Sequence, residues 1–323
     1  MKLFSVIEPV GCKEQYREFK SRNRHIRGEI VRVAGMEGMD VYNPSVPFEI
    51  NGQLYMAGRV ERRDSEVSRT FFFRENGGEF RPCNDTPVFE LQDPFISIVN
   101  SEIIFGGVRV IWEGTKAVTW FTDFYRGDSL QRLKYFVSGP EHMKDIRLVG
   151  LENGEIGIFS RPQGQRLRRK YGCTAKIGFS RVSSLEAVTP EAIAGATMLD
   201  GQFLPEEWGG CNQIYRLKNG MLGVIGHKAY GEGNNENNKI LHYYSMAFVM
   251  NPQTREISPT KIICGRDCFP EGDYKQERLR DVTFTSGIIR NEDGTATLFS
   301  GLSDCQIGKI VIRDPFLEYE EMF

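Results

Sequence analysis

The chain has 323 residues, 40% hydrophobic and 26% charged, a balance that supports a large folded core. A formal net charge of −2 and a pI near 6.2 exclude a bulk positive field for nucleic acid or an acidic membrane. No stretch nears the length of a membrane span, and the opening MKLFSVIEPVG has too short an apolar run for a signal peptide, so a cytoplasmic protein is expected.

Residues 1–40 mix polar and short apolar stretches. They read as an N-terminal segment packed on the main body, with a short helix or loop over 15–23 and a strand over 29–33. From residue 41 to the end a pattern takes over. A polar residue heads a short strand, a tight turn follows, and a second strand answers it. The heads are Asn43, Asp93, the pair Lys144 and Asp145, Asn212, and the 281–283 segment. Their strands are expected over 46–50, 95–99, 146–151, 213–217 and 283–290. The answering strands are expected over 54–60, 102–110, 155–159, 221–225 and 295–300. Four of the five turns carry Asn-Gly or Asp-Gly, the pair that suits a type I′ turn because both central residues need positive φ.

Further alternating runs follow at 68–74, 117–123, 175–182, 242–250 and 306–312, so each unit supplies three or four antiparallel strands. The heads recur about every 50 to 70 residues, and strands repeating at that period mark a propeller. The expectation is an all-β protein, a single five-bladed β-propeller over 41–323, with a two-sheet sandwich as the alternative. One helix is expected over 189–197, with Thr189 as its cap and Pro190 in its first turn. Residues 166–170, RLRRK, read as an exposed hairpin tip. Residues 229–239 read as a loop, and 264–280 as a long charged connection. Loops of that length inside a compact domain tend to be functional or disordered.

In a propeller the first strand of each blade lines a central channel. Asn43, Asp93, Asp145, Asn212 and 281–283 would converge at one end of it. Arg59, Arg161, His227 and Asp304 follow the second strands and would surround the same mouth. Carboxylates sharing a pocket can cleave a glycoside: one protonates the departing oxygen, and a second activates water or forms a covalent intermediate. Individually, each acid could equally cap a strand or pair with an Arg. Arg161 and His227 could hold an anion. Trp208, beside two glycines, could stack on a sugar ring, whereas Trp112 and Trp120 fit core strands better. The seven cysteines are scattered, and no His lies near Cys264 and Cys268, so reduced thiols are expected and a metal site is not. No phosphate-binding loop, dinucleotide fingerprint or nucleophile elbow is visible, and no cofactor is expected.

The order Asn43-Pro44, Asp93-Pro94, Lys144-Asp145, Arg161-Pro162, Gly226-His227 and Ser303-Asp304 resembles the five-bladed propeller glycosidases of the furanosidase type. It is most similar to the branch of mannoside phosphorylases and mannosidases, and to uncharacterised relatives described only as glycosidases. The resemblance spans about residues 40–315. It implies Asp93 as proton donor, Asp304 as a sugar contact, and Arg161 with His227 as a phosphate site. Glu206 and Glu207 are similar to the base of the related hydrolases. Asn43 stands where the furanosidases carry Asp, which argues against a retaining mechanism. Phe95 stands where the phosphorylases usually place Arg. The resulting expectation is an inverting glycosidase acting on a small, mannoside-like carbohydrate. The alternatives are a phosphorylase using inorganic phosphate and a non-catalytic carbohydrate-binding propeller.

Overall fold

The computed structural model describes residues 2–4, 7–23, 25–233 and 239–321. Strands hold 48% of the chain and helices 12%, which makes the protein all-β. The strands form consecutive antiparallel meanders, each beginning near a polar head. The first unit pairs Asp40–Tyr42 (β1) and Phe48–Ile50 (β2) with Gln53–Glu61 (β3), and continues through Arg69–Asn76 (β4) and Glu79–Pro82 (β5). The second runs Gln92–Val99 (β6), Glu102–Glu113 (β7), Lys116–Gly127 (β8) and Lys134–Ser138 (β9).

The third unit runs Arg147–Gly150 (β10), Ile156–Ser160 (β11), Gly178–Val182 (β12) and Thr197–Met198 (β13). The fourth runs Trp208–Arg216 (β14), Leu222–Glu232 (β15), Ile240–Met250 (β16) and Lys261–Cys264 (β17). The last runs Asp281–Arg290 (β18), Thr295–Leu302 (β19) and Gln306–Arg313 (β20). A short parallel contact between β16 and β18 joins the last two into one sheet.

Successive units touch through one strand each, β3 to β6, β6 to β10, β10 to β14 and β14 to β18, and the last unit returns to β1. The ring is therefore closed. Residues before the first head help to close it: Glu29–Ile30 pairs with β20, and Arg32–Val33 lies parallel to β5. The core lies in layers between neighbouring sheets. Phe95, Ile104, Phe124, Leu148 and Ile158 fill one layer, and Val46, Phe72, Ile96 and Phe105 another. Burying each such side chain stabilises the fold by about 1.5–3 kcal/mol. The apolar residues thus leave the centre of the ring to the polar heads.

The turns depart from one expectation. Asn51-Gly52 has positive φ at both residues, as a type I′ turn requires. So does Asn100-Ser101, which contains no glycine. At the other three turns only the glycine (Gly154, Gly220, Gly294) has positive φ. There the side chains of Asn153, Asn219 and Asp293 accept the backbone N–H two residues on. These are Asx turns, and the Asn or Asp matters for its oxygen rather than for its tolerance of positive φ.

Residues 166–170 belong to the helix Gln165–Tyr171 rather than to a hairpin tip, with Gly172 in the left-handed conformation ending it. The expected 189–197 helix is shorter, Pro190–Ala194, ending before Gly195, with Thr197 already in β13; Thr189 Oγ1 accepts from the Ala192 amide at 3.2 Å. Cys12–Arg22 (α1) is helical. The expected 229–239 loop is partly strand, since β15 extends through Glu232; residues 234–238 lie outside the described residues. Trp112 and Trp120 are half-buried on the β7–β8 hairpin rather than in the core. All seven cysteines are free thiols, six of them buried. Among the described residues, no helix is long and apolar enough to cross a membrane.

Candidate functional site

Four polar positions at the centre share an unusual backbone. Asn43, Asp93, Asp145 and Asp304 have φ of 41°, 50°, 53° and 55°. Asn and Asp reach this left-handed region more readily than other side-chain-bearing residues, at a cost of roughly 1–2 kcal/mol each. Register shifts accompany two of the heads. The β6–β7 ladder slips between Gln92 and Phe95, around Asp93, and the β14–β15 ladder slips around Asn212. Such bulges re-aim side chains, and here they turn polar groups inward.

One cluster forms around Asp93, whose side chain is 14% exposed. Asn43 Nδ2 donates to Asp93 Oδ1 at 2.8 Å, and Arg59 Nη1 donates to the same oxygen at 3.1 Å. Arg59 lies 4.9 Å from the Tyr42 ring centre and also holds Glu61, through Nε at 3.2 Å and Nη2 at 2.9 Å. Burial opposes ionisation of Asp93, but Arg59, Lys144 and the Asn43 hydrogen bond outweigh it and hold the carboxyl below its ordinary range. Asp304 behaves oppositely. Burial pushes it up to about 6, Arg59 pulls it down, and the charge of Asp93 reinforces the rise. The two carboxyls are therefore distinct: one held ionised, the other retaining its proton towards neutral pH.

A second cluster forms around the buried Asp145. Arg161 Nε lies 2.7 Å from Asp145 Oδ2, and His227 Nε2 lies 3.8 Å from it. His227 Nδ1 contacts Asn212 Oδ1 at 2.8 Å, so with that oxygen accepting, Nδ1 carries the proton. Burial pushes His227 down to about 4, against the opposing pull of Asp145, so the imidazole is neutral at neutral pH. Asp145 is itself held below its ordinary range: burial opposes ionisation, but Arg161, His227 and Arg147 outweigh it. It thus acts as counter-ion to Arg161. Lys144 faces both Asp93 and Asp145 and bridges the clusters electrostatically. Its Nζ lies 5.8 Å from the Trp120 ring centre.

Of the expected residues, Asn43, Asp93, Arg59, Lys144, Asp145, Arg161, Asn212, His227 and Asp304 are brought together in these linked clusters. Trp208 joins them indirectly. Its Nε1 donates to the Tyr243 hydroxyl at 2.8 Å, and the Tyr243 ring stacks on His227 with centroids 5.6 Å apart. The glutamates are placed elsewhere. Glu206 is exposed. Glu207 is buried but bound by the amides of Cys12 and Leu204 and by Lys228, 3.2 Å away, where it fastens α1 to the ring. Asp281 is also engaged away from the centre, by His242 Nδ1 at 2.5 Å and the Tyr244 hydroxyl at 2.9 Å.

Several central residues carry no recognisable sequence signal. Tyr243 and Phe284, whose ring centroid lies 5.1 Å from that of His227, sit within strands. Arg147 follows Ile146 in a buried strand, and Glu61 ends β3 in a charge-rich run. Arg147 lies 4.0 Å from the Phe95 ring centre and donates from Nε to the Asn212 carbonyl at 2.7 Å. It therefore brings a cation against Phe95 from the neighbouring unit. Burial lowers Arg147 to about 10, so it stays charged. Buried polar atoms without a protein partner gather at the same centre: Asn43 Oδ1, Asn212 Nδ2 and Thr283 Oγ1. Such atoms are costly unless something else satisfies them.

Two outcomes follow from this geometry. A Cβ on Gly301 would lie 1.9 Å from Asn43 Oδ1 and 2.6 Å from its backbone N. Gly301→Ala is therefore expected to cost about 1–3 kcal/mol of stability and to dislodge Asn43, which thermal melting combined with a ligand titration would detect. The raised pKa of Asp304 contributes stability that is full below its ordinary value and lost as the pH rises through about 6. Asp304→Asn should raise Tm above that pH and leave it nearly unchanged below about pH 4. An equal shift at both pH values would contradict the assignment.

The family profile of DUF1861, described as a protein of unknown function, matches residues 17–318. The chain belongs to this family. Among solved structures, it is similar to a mannose phosphorylase from Leishmania mexicana, MPT-4, determined in complex with a phosphate ion. The two are 37% identical, with 94% of this chain and 93% of that one covered at a TM-score of 0.87. It is also similar to MPT-1, a GDP-Man-dependent mannosyltransferase from the same organism, at 36% identity, 95% and 96% coverage and a TM-score of 0.86. The β-1,2-mannobiose phosphorylase of Listeria innocua, at 16% identity, 88% and 93% coverage and a TM-score of 0.58, shares the fold. No match was found among curated proteins.

Proposed function

We propose that this DUF1861 protein is a glycoside-cleaving enzyme that transfers a mannosyl-type sugar to inorganic phosphate. The observation that carries this reading is the pairing of a carboxyl centre, Asp93 with Asp304, with a cation-rich centre of Arg161, Lys144 and Arg147. Phosphate bound at the second centre would attack the anomeric carbon as the glycosidic C–O bond breaks, and the departing oxygen would take, through Asp93, the proton that the Asp93–Asp304 pair holds. One displacement inverts the anomeric centre. Asn43 hydrogen-bonds Asp93 and offers no nucleophile. Below about pH 6 the pair holds one proton, which rests on Asp304 while Asp93 is ionised, so cleavage would draw on the singly protonated pair, with Asp93 relaying the proton, and synthesis on the ionised one.

Relatives of near-full coverage support a mannosyl substrate, since one is a mannose phosphorylase and another a GDP-Man-dependent mannosyltransferase. The five consecutive meanders support the further reading of a single five-bladed ring over 41–323, with 1–40 packed on it. Hydrolysis is the second reading. It is favoured by the propeller glycosidases that share the fold. It requires a base for water, and Glu207 is tied to Lys228 while Glu206 is exposed. Incubating the protein with a panel of mannosyl oligosaccharides, with and without inorganic phosphate, separates these readings. Turnover only with phosphate is expected. Equal turnover without it would establish hydrolysis, and binding without turnover in either condition would leave a carbohydrate-binding protein.

A further inference from the structure

The connection between β17 and β18 contains only the short 3-10 turns Arg266–Cys268 and Glu277–Leu279, yet it is firmly anchored. Arg266 Nε donates to Ser303 Oγ at 3.1 Å, and the Lys275 amide donates to the Ser303 carbonyl at 3.0 Å, immediately before Asp304. Lys275 then crosses to the first unit. Its ammonium, 3% exposed, binds Glu61 Oε1, the Ser65 carbonyl at 2.6 Å and Glu66 Oε1 at 2.9 Å. Glu61 is fully buried and receives three donors: the Tyr42 hydroxyl, Lys275 and Arg59.

Arg59 is therefore shared among three carboxylates, Glu61 and the exposed Glu66, 3.6 Å away, on one side and Asp93 on the other. How far it serves Asp93 depends on what else neutralises Glu61. We propose that Lys275 is a positioning residue for Asp93, neutralising Glu61 so that Arg59 remains directed at the Asp93 carboxylate. The proposal rests on the glycoside-cleaving reading of the site but has a readout that does not depend on it.

Without Lys275, a buried Glu61 would draw the Arg59 guanidinium towards itself, because an uncompensated buried charge is costly. Asp93 would lose its nearest counter-charge. The other groups facing Asp93 would stay in place: Asn43 from the first unit, Lys144 and Arg147 from the third, His227 from the fourth and Asp304 from the last. Of the cations facing Asp93, Arg59 is the one bound to Glu61; Lys275 also lowers Asp304 directly, so the Asp304 resonance is followed in the same titration. The device also explains why a long irregular connection carries a nearly buried lysine.

The test is a carboxyl carbon NMR titration of aspartate-labelled protein, with the Asp93 resonance assigned from Asp93→Asn. Lys275→Met is expected to raise the Asp93 titration midpoint by about one pH unit, a shift of the size that losing one close counter-charge produces. Lys275→Arg should leave it near the wild-type value. The double variant Lys275→Met with Glu61→Gln removes both charges of the buried pair, remains foldable if the single variant is not, and frees Arg59 for Asp93. Its Asp93 midpoint should fall to the wild-type value or below. An unshifted Asp93 in folded Lys275→Met, or a raised one in the double variant, would overturn the proposal. In turnover, the pH profile of kcat should move to higher pH in Lys275→Met, as the Asp93 midpoint does, while KM for phosphate changes less than twofold, with rescue by Lys275→Arg. If the wild type turns over no glycoside, the functional reading fails, while the titration still decides the role of Lys275.

Discussion

Asp93→Asn is expected to lower the cleavage rate by about 10²- to 10⁴-fold, the usual contribution of a positioned acid. The replacement keeps the shape of the side chain and leaves an oxygen for Asn43 and Arg59, which contact Oδ1 at 2.8 and 3.1 Å. The loss should therefore fall on kcat more than on KM. A second effect follows from the electrostatics. The Asp93 charge helps to hold Asp304 at about 6, so removing it should return Asp304 towards the ordinary carboxyl range. Any residual activity should then show this dependence at a lower pH, since burial of Asp304 remains. A fully active Asp93→Asn protein would remove Asp93 from the mechanism.

Arg161→Lys is expected to raise KM for phosphate on the order of 10- to 100-fold, the range for losing a charge-assisted hydrogen bond. Lysine keeps the charge but cannot reproduce a planar guanidinium that serves Asp145 and an anion together. Arg161→Ala should do more. It leaves Asp145, whose side chain is 7% exposed, without its 2.7 Å partner, and breaking a buried pair costs about 3–5 kcal/mol. A large drop in Tm for Arg161→Ala, with near-normal stability and weakened phosphate binding for Arg161→Lys, would separate the two roles. Unchanged phosphate dependence in Arg161→Lys would place the anion elsewhere.

The all-β architecture was legible because it depends on local chemistry. Asn51-Gly52 and the alternating runs around it specify a hairpin within a dozen residues, and the recurring polar heads mark where each meander begins. Asn43, Asp93 and Asp145 were readable for the same reason: a short polar side chain at a strand start tolerates the left-handed backbone that the site uses. What sequence reading missed depends on ring closure. Glu207 resembles the base of related hydrolases in sequence, but the N-terminal helix returns to the ring at that point and the carboxylate caps its backbone. Tyr243 lies on a third strand, normally far from a channel, and reaches His227 by stacking. Arg147 is hidden in an apolar run, and Lys275 lies in an irregular connection that no periodicity marks.

Phosphorus NMR on the wild-type protein incubated with a mannosyl oligosaccharide and inorganic phosphate tests transfer to phosphate most directly. A new sugar phosphomonoester resonance, growing as the inorganic phosphate signal declines and absent from Asp93→Asn, is the expected result. Release of free reducing sugar with the phosphate signal unchanged would contradict it.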